Sequence, residues 1–536
     1  MRIQLALLLF LAACGSTQVS SWPQGAGPNG DWTANGPAPP ARFSVRTGEN
    51  IRWRTPLPET GQGGIAVHAD RVFVATMAPW DPVNALSEED AQLYSHAIEN
   101  RSVAGKGIVA LCLDADSGDV LWSRSIDGEV PAIYTYPFSD ATSASPVTDG
   151  EHVWFTNAAG SLVCFTVDGE PVWERRWTPA FDGPFNKQFE PFLVAGVLVT
   201  MEPFASPDAE DPESLEGRWH YLVGLDAATG AELWRSEDGL TQYNAPTLVD
   251  MPGGACVLHA RGGPHAVPER PVGISMTRVT GPDAGKTLWR YDDPRGNHEA
   301  SLQTMAYDDE HVYWILKDSR NALVVLDRAT GEELREVSLV KGVTRRSYDA
   351  ETADYVTAVG VDLEKGVFPA RYSMIAANGH VYFQCYALAW GKPTIGPPYS
   401  FARVDPARGS VEYLEVPTGV VRAAGGDRFL WRTPRTACPL NSRGVEVTGD
   451  DRSRWDGWDW VFNGSPTRAG NQLYFTLASG LVYVIEAGTD ALVPSALLSL
   501  SDLGAAGEVW SANSVSCAGG RLYHRTGAEL ICIEDE

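Results

Sequence analysis

The sequence is short of the features that mark a nucleic-acid binder, a membrane-embedded protein or a metallohydrolase. Basic residues are scarce: 42 Lys and Arg stand against 68 Asp and Glu, a net charge of −26 over 536 residues. That balance offers no positive footprint for a phosphate backbone or an anionic lipid surface, so nucleic acid is excluded as a general partner. Excess acid confers solubility and names no partner of its own. No segment after the first dozen residues is apolar for long enough to span a bilayer. There is no Cys-x-x-Cys-His for haem, no His-Glu-x-x-His or comparable zinc spacing, no Gly-x-Ser-x-Gly elbow and no Walker loop. The eight cysteines, at 14, 112, 164, 256, 385, 438, 517 and 532, include no adjacent pair. Motifs therefore assign no catalytic residue and no metal ligand.

Turn and strand material is plentiful instead. The 53 Gly, 36 Pro and 18 Trp, with 44% hydrophobic and 21% charged residues, describe a globular chain of many strands joined by many turns.

Met1-Arg2, the apolar run Leu5 to Leu11 and then Leu11-Ala12-Ala13-Cys14-Gly15 read as a secretory signal. Leu-Ala-Ala-Cys resembles the lipobox of bacterial lipoproteins. The resemblance implies removal of residues 1–13, lipidation of Cys14 and, with Gly15 rather than Asp next, sorting to the outer membrane of the envelope. Cleavage would remove only Arg2 among the charged residues, leaving 41 basic against 68 acidic groups. Residues 14–44 have the Ser, Gly, Pro and Asn composition of a tether. Trp22-Pro23-Gln24 and Gly27-Pro28-Asn29-Gly30 are expected to pack on the folded body.

The decisive signal is an internal repeat. Ser117-Gly118-Asp119-Val120-Leu121-Trp122 recurs as Asp168-Gly169-Glu170-Pro171-Val172-Trp173, Thr229-Gly230-Ala231-Glu232-Leu233-Trp234 and Ala284-Gly285-Lys286-Thr287-Leu288-Trp289. Weaker copies begin at Thr330-Gly331, Arg408-Gly409 and Ala487-Gly488. Each follows an apolar strand ending in a turn residue, such as Val109 to Asp114, and each has a tight hairpin upstream, such as Pro146 to Phe155. Strand, turn, strand, loop, strand, Gly turn, strand makes one four-stranded blade, with strands A to D. Seven D strands are predicted to begin near Val120, Val172, Leu233, Leu288, Leu334, Val411 and Leu492. The C-terminus supplies A, B and C only, and Thr47-Gly48 to Arg54 supplies the missing D. The expectation is an all-β, eight-bladed propeller over residues 45–536, its last blade closed by the N-terminal strand.

Leu113-Asp114-Ala115-Asp116-Ser117-Gly118 to Trp122, and Leu225-Asp226-Ala227-Ala228-Thr229-Gly230 to Trp234, resemble the PQQ-type propeller repeat. That family includes quinoprotein alcohol dehydrogenases and the cofactor-free propeller lipoprotein of the outer-membrane barrel-assembly machinery. For the enzyme branch the resemblance implies PQQ, a calcium ion held by Glu, Asn and Asp, and two adjacent cysteines. The chain has neither the cysteine pair nor a matching calcium set, so no cofactor is predicted, with PQQ and calcium the alternative.

The repeat also sorts the remaining residues. Cys112, Cys164 and Cys532 hold one C-strand position and Trp53, Trp122, Trp173, Trp234 and Trp289 one D-strand position, which marks both sets as structural. His152, His311 and His380 punctuate A–B turns. His265, Glu269 and Arg270 form the best polar trio, and Trp455, Trp458, Asp459 and Trp460 form an aromatic cluster outside the repeat. Six long connections, Met77 to Lys106, Glu202 to Arg218, Gly262 to Pro271, Lys341 to Arg371, Leu388 to Pro398 and Thr418 to Trp460, are all B–C or D–A segments. Since B–C and D–A connections share one face of a propeller, that face is expected to bind, with an envelope protein or glycan as partner. An enzyme using the same face is the alternative.

Overall fold

The computed structural model describes residues 21–79, 103–133, 140–179, 189–205, 218–240, 245–261, 273–292, 304–315, 321–363, 373–385, 388–389, 392–393, 399–423, 425–431, 440–442, 444 and 464–535. They form an eight-bladed, all-β propeller. Blade two shows the unit: A is Val147–Thr148, B His152–Asn157, C Ser161–Thr166 and D Pro171–Arg176, hydrogen-bonded in that order. In blade eight, Ser516–Ala518, Arg521–Arg525 and Glu529–Ile533 are completed by Ile51–Pro56 from the other end of the chain. No helix among the described residues is long and apolar enough to cross a membrane.

The repeated phrase works as a latch between blades. Trp53 Nε1 donates to the Ala115 carbonyl at 3.0 Å, Trp122 to Val167 at 2.9 Å, Trp173 to Ala227 at 3.0 Å and Trp289 to Arg328 at 2.9 Å. Every acceptor follows strand C of the next blade, so Trp53 closes the ring with the bond used within it. The turn glycine of that next blade lies against the ring face. A Cβ on Gly118, Gly169, Gly230 or Gly331 would come within 2.6, 2.9, 2.7 or 2.5 Å of the tryptophan. These glycines have φ between +71° and +84°, so they are needed both for the turn and for the close approach. Trp234 departs from the pattern. The next C–D turn runs longer, from Val279 to Lys286, and Trp234 Nε1 is buried without a hydrogen-bond partner among the described residues.

The structural cysteines lie opposite these rings. Cys112 pairs with Trp122, Cys164 with Trp173 and Cys532 with Trp53, where a small side chain leaves room for the indole. All three are buried and free, as are Cys256, Cys385 and Cys517; burial pushes the Cys112 and Cys164 thiols up to about 12. Cys14 and Cys438 lie outside the described residues. His152 and His311 bracket their A–B turns through Asp149 and Asp308, and His380 does so through the Asn378 carbonyl.

Two expectations are corrected. Lys341 to Arg371 is not simply a connecting loop: Val343–Asp349 and Asp354–Val361 form a hairpin, and Val343–Asp349 runs parallel to strand D of blade six, Ser410–Glu415. Blade six therefore has six strands. In blade seven, strand D is Leu497–Asp502 and does not begin near Leu492, because Pro494–Ala496 forms a 3-10 turn first. Proline lacks the N–H that a ladder position requires.

The segment expected to be a tether is part of the body from Ser21 onward. Ser21–Trp22 pairs with the innermost strand of blade one, Ala66–His68. The Pro23 carbonyl accepts from Thr148 N in blade two, Gln24 Oε1 from Leu193 N in blade three, and the Gly30 carbonyl from Leu248 N in blade four. Tyr307 of blade five donates to Asp31, and Thr33–Ala34 runs parallel to the inner strand Thr467–Ala469 of blade seven. Trp22 is fully buried, with Gly27 against its ring. These contacts fall on the inner strands around the ring, so residues 21–34 fill its centre.

Candidate functional site: the loop-rich face and the closed channel

Three short hairpins are visible within the long connections, and each confirms that the insertions carry structure of their own. Besides the blade-six hairpin, Leu388–Ala389 pairs with Lys392–Pro393, and Gly419–Val421 with Arg428–Leu430. The first and last are joined by aromatics: Tyr348 stacks on Trp431 at 3.8 Å, and Tyr355 meets the same ring edge-on at 5.9 Å. Tyr355 also donates to the Glu415 carbonyl, and Glu415 accepts from Tyr348 N. In blade one the insertion runs into a lengthened strand C, Val103–Asp114, which pairs with an equally lengthened strand D, Val120–Ile133.

The residues predicted to carry function are not among those described. His265, Glu269 and Arg270, and likewise Trp455, Trp458, Asp459 and Trp460, lie outside the described residues, so the structure does not bring them together or hold them apart. What it does describe is the inner wall beneath the same face, which the sequence did not single out. Gly64, Ser145 and Glu190 precede the inner strands of blades one, two and three. Gly64 N donates to Ser145 Oγ, and that hydroxyl donates to Glu190 Oε1 at 2.9 Å. Glu190 Oε2 is shut off from solvent and has no hydrogen-bond partner among the described residues. It faces Gly25 of the central segment, where a Cβ would approach it to 2.2 Å. Burial pushes this carboxyl up to about 7.

A second buried group lies where blade eight meets blade one. Arg525 is wholly buried and donates to the carbonyls of Ala75 at 2.6 Å and Gly63 at 3.2 Å. Burial pulls its guanidinium down to about 10, and the nearby Asp140 charge opposes that shift. Thr142 Oγ1 accepts from Gln62 N, and Asp140 accepts from both the amide and the hydroxyl of Thr142. Glu59 accepts from Ser442 N, which ties the last long insertion back to blade one.

Two cavities add little chemistry. One of about 30 Å³ between blades two and three has room for a single water and is bordered by Phe189, Met201 and His220. His220 is kept neutral by burial, its pKa lowered to about 4. A groove of about 690 Å³ lies on the opposite, turn-bearing face between blades six and seven. Its Arg403 is already saturated by Glu412 and by the Thr489 and Asp490 carbonyls.

The family described as outer membrane protein assembly factor BamB, a PQQ-repeat propeller family, matches residues 41–237 and 218–378. The chain belongs to this family. No curated protein matches it. Among solved structures it is similar to the quinohemoprotein alcohol dehydrogenase of Comamonas testosteroni, at 13% identity over 96% of this chain and 80% of that one, TM-score 0.48. A europium-containing methanol dehydrogenase matches at 11% identity over 96% and 98%, TM-score 0.48. BamB from Moraxella catarrhalis matches at 13% identity over 73% and 94%, TM-score 0.34.

The family's repeat name raises the question of PQQ, a planar quinone bearing three carboxylates. The described titratable groups beneath the loop-rich face include Glu59, Asp140, Glu190 and Arg525. Three of these four are acidic; Arg525 donates through Nη1 to two backbone carbonyls, and its Nε and Nη2 have no hydrogen-bond partner among the described residues. Among the described residues no three His, Cys, Asp or Glu side chains gather as a cation would need. Glu59, Asp140, Glu190 and Arg525 by themselves do not make a site for a tricarboxylate paired with calcium.

Proposed function

We propose that the chain is a lipid-anchored envelope protein that acts as a non-catalytic scaffold, binding a protein or glycan through its loop-rich face. The observation that carries this reading is the asymmetry of the ring. Structured insertions rise from B–C and D–A connections, while the centre is filled by residues 21–34. A filled centre leaves recognition to the rim and its insertions. The family's description favours outer-membrane protein assembly as the setting. Cys14 would supply the anchor, and Trp455, Trp458 and Trp460, with Asp459, would supply aromatic contacts of the kind that dominate interfaces. His265, Glu269 and Arg270 would add polar contacts on the same face.

The test has two arms. A photo-crosslinking residue at Trp458 in the envelope-localised protein should yield one defined adduct, lost when Trp455 and Trp460 are both changed to Ala. Purified protein titrated with PQQ and calcium should show no rise in melting temperature. A ligand that binds only the folded state must raise apparent stability, so a saturable rise with a quinone spectrum would overturn the non-catalytic reading.

A further inference from the structure

The path of the N-terminal segment fixes where an anchor must emerge. Strand A of blade one runs from Ala66 to His68 and then turns at Ala69–Asp70 into Arg71–Met77. Ser21–Trp22 is antiparallel to it, with Ser21 opposite His68 and Trp22 opposite Val67. Read backwards, the chain therefore leaves the ring at the A–B turn of blade one. That is the face of the A–B and C–D turns, opposite the insertions. It leaves beside the innermost strand, near the axis.

The exit point is held firmly. Trp22 is fully buried, its Nε1 donates to the Gly25 carbonyl at 3.2 Å, and Thr148 N donates to the Pro23 carbonyl at 2.8 Å. Six residues separate Cys14 from Ser21. Even fully extended, that stretch reaches only about 25 Å. To bring the opposite face to the bilayer, the chain would have to pass outward over a blade and then up its side. That route is about 15 Å across four strands and about 20 Å along a six-residue strand, before any insertion is counted. The tether is too short for it.

We infer that the anchored protein stands on its turn face, so that the loop-rich face is presented away from the membrane that holds it. This rests on the reading of Cys14 as a lipidated anchor. It specifies that reading further: the partner is met from the aqueous side, and a partner embedded in the same membrane must reach past the propeller through a soluble extension.

The full-length lipidated protein, in a Cys438→Ser background, takes a fluorophore at Asp168→Cys on the turn face or at Glu351→Cys at the tip of the blade-six hairpin. It is then placed in vesicles of neutral phospholipid containing headgroup-nitroxide lipid. The expected result is at least threefold stronger quenching at 168 than at 351. Inserting twenty Gly/Ser residues after Ser16 should shrink that ratio towards one. Equal quenching or stronger quenching at 351 would overturn the orientation, and a ratio unchanged by the longer tether would overturn the argument that the short tether enforces it. The mass of the N-terminal peptide separates the two claims. An unlipidated Cys14 would refute the anchor itself and the orientation with it, whereas a lipidated Cys14 with the wrong ratio would refute the orientation alone.

Discussion

Gly331 and Gly409 form a matched pair for testing the inter-blade latch. Both end the C–D turn at φ near +70°, and in both the glycine amide donates to an Asp carbonyl, Asp327 or Asp405, at 2.8 Å. They differ in one respect. A Cβ at 331 would lie 2.5 Å from Trp289 Cε3, whereas a Cβ at 409 meets nothing within 4 Å. Gly409→Ala should therefore cost only the left-handed conformation, about 1 kcal/mol. Gly331→Ala should cost that and also displace the ring, at about 1–3 kcal/mol for overpacking. It should further weaken the Trp289–Arg328 bond, by about 1 kcal/mol. The totals are about 3–5 against about 1 kcal/mol. At roughly 2 cal/mol/K of unfolding entropy per residue, a chain of this size loses about 1 °C of melting temperature per kcal/mol. Thermal unfolding followed by circular dichroism should give drops of about 3–5 °C and about 1 °C. In a Trp289→Leu background, the Gly331→Ala penalty should fall to that of Gly409→Ala. Equal penalties in the wild-type background, or a 331 penalty that persists without the indole, would refute the latch.

Other expectations follow from the same geometry. The Glu190 carboxyl is raised to about 7 in the folded protein against an ordinary value near 4.5, so between those values the folded state holds the extra proton and its stability falls as pH rises. Glu190→Gln should flatten that part of the stability–pH curve and gain up to about 3 kcal/mol at pH 8, read by urea unfolding at pH 4.5 and 8. His259 and His524 are buried with pKa values near 4. The unfolded chain protonates such groups first, so stability should fall as pH drops from about 6.5 to 4, and His524→Asn should reduce the fall in acid melts. Trp22→Ala should cost about 3–5 kcal/mol and release the central segment, seen as faster proteolytic cleavage between residues 21 and 34 than in the wild type.

The architecture was legible because its local grammar repeats. The Gly turn followed by a tryptophan recurs wherever a blade passes its edge to the next, and a three-strand remainder at the C-terminus demanded a fourth strand from elsewhere. The second role of Gly230 or Gly331, as the floor beneath an indole, was not legible, because turn chemistry alone already explains a glycine there. The hairpin of Val343–Asp349 and Asp354–Val361 was not legible, because neither strand alternates between apolar and polar residues. The repeat's spacing had already assigned that stretch to a connection, and nothing local says that an added hairpin will pair in parallel with strand D. The central segment was half legible: Trp22 and the Gly27-Pro28-Asn29-Gly30 phrase were expected to pack. Their route across successive blades depends on contacts with residues hundreds of positions away. For function, repeat logic removed histidines and cysteines from candidacy and pointed to one face. It gave no signal for Glu190, a lone acidic residue between aromatic neighbours Phe189 and Phe192.

The split last blade has a consequence for the order of assembly. Ile51–Pro56 pairs with Glu529–Ile533, Asn50 bonds to Asp535, and Ser516 bonds to Ile65, a sequence separation of 451 residues. A chain delivered from its N-terminus therefore presents its first strands long before their partners exist. Loop closure over such a distance is slow and entropically costly. Until the final residues arrive, Ile51–Pro56 has no strand to pair with and blade eight does not exist. The nascent protein is thus most exposed to mispairing just before completion. A truncation that removes only the final strand would strand both ends of the chain at once.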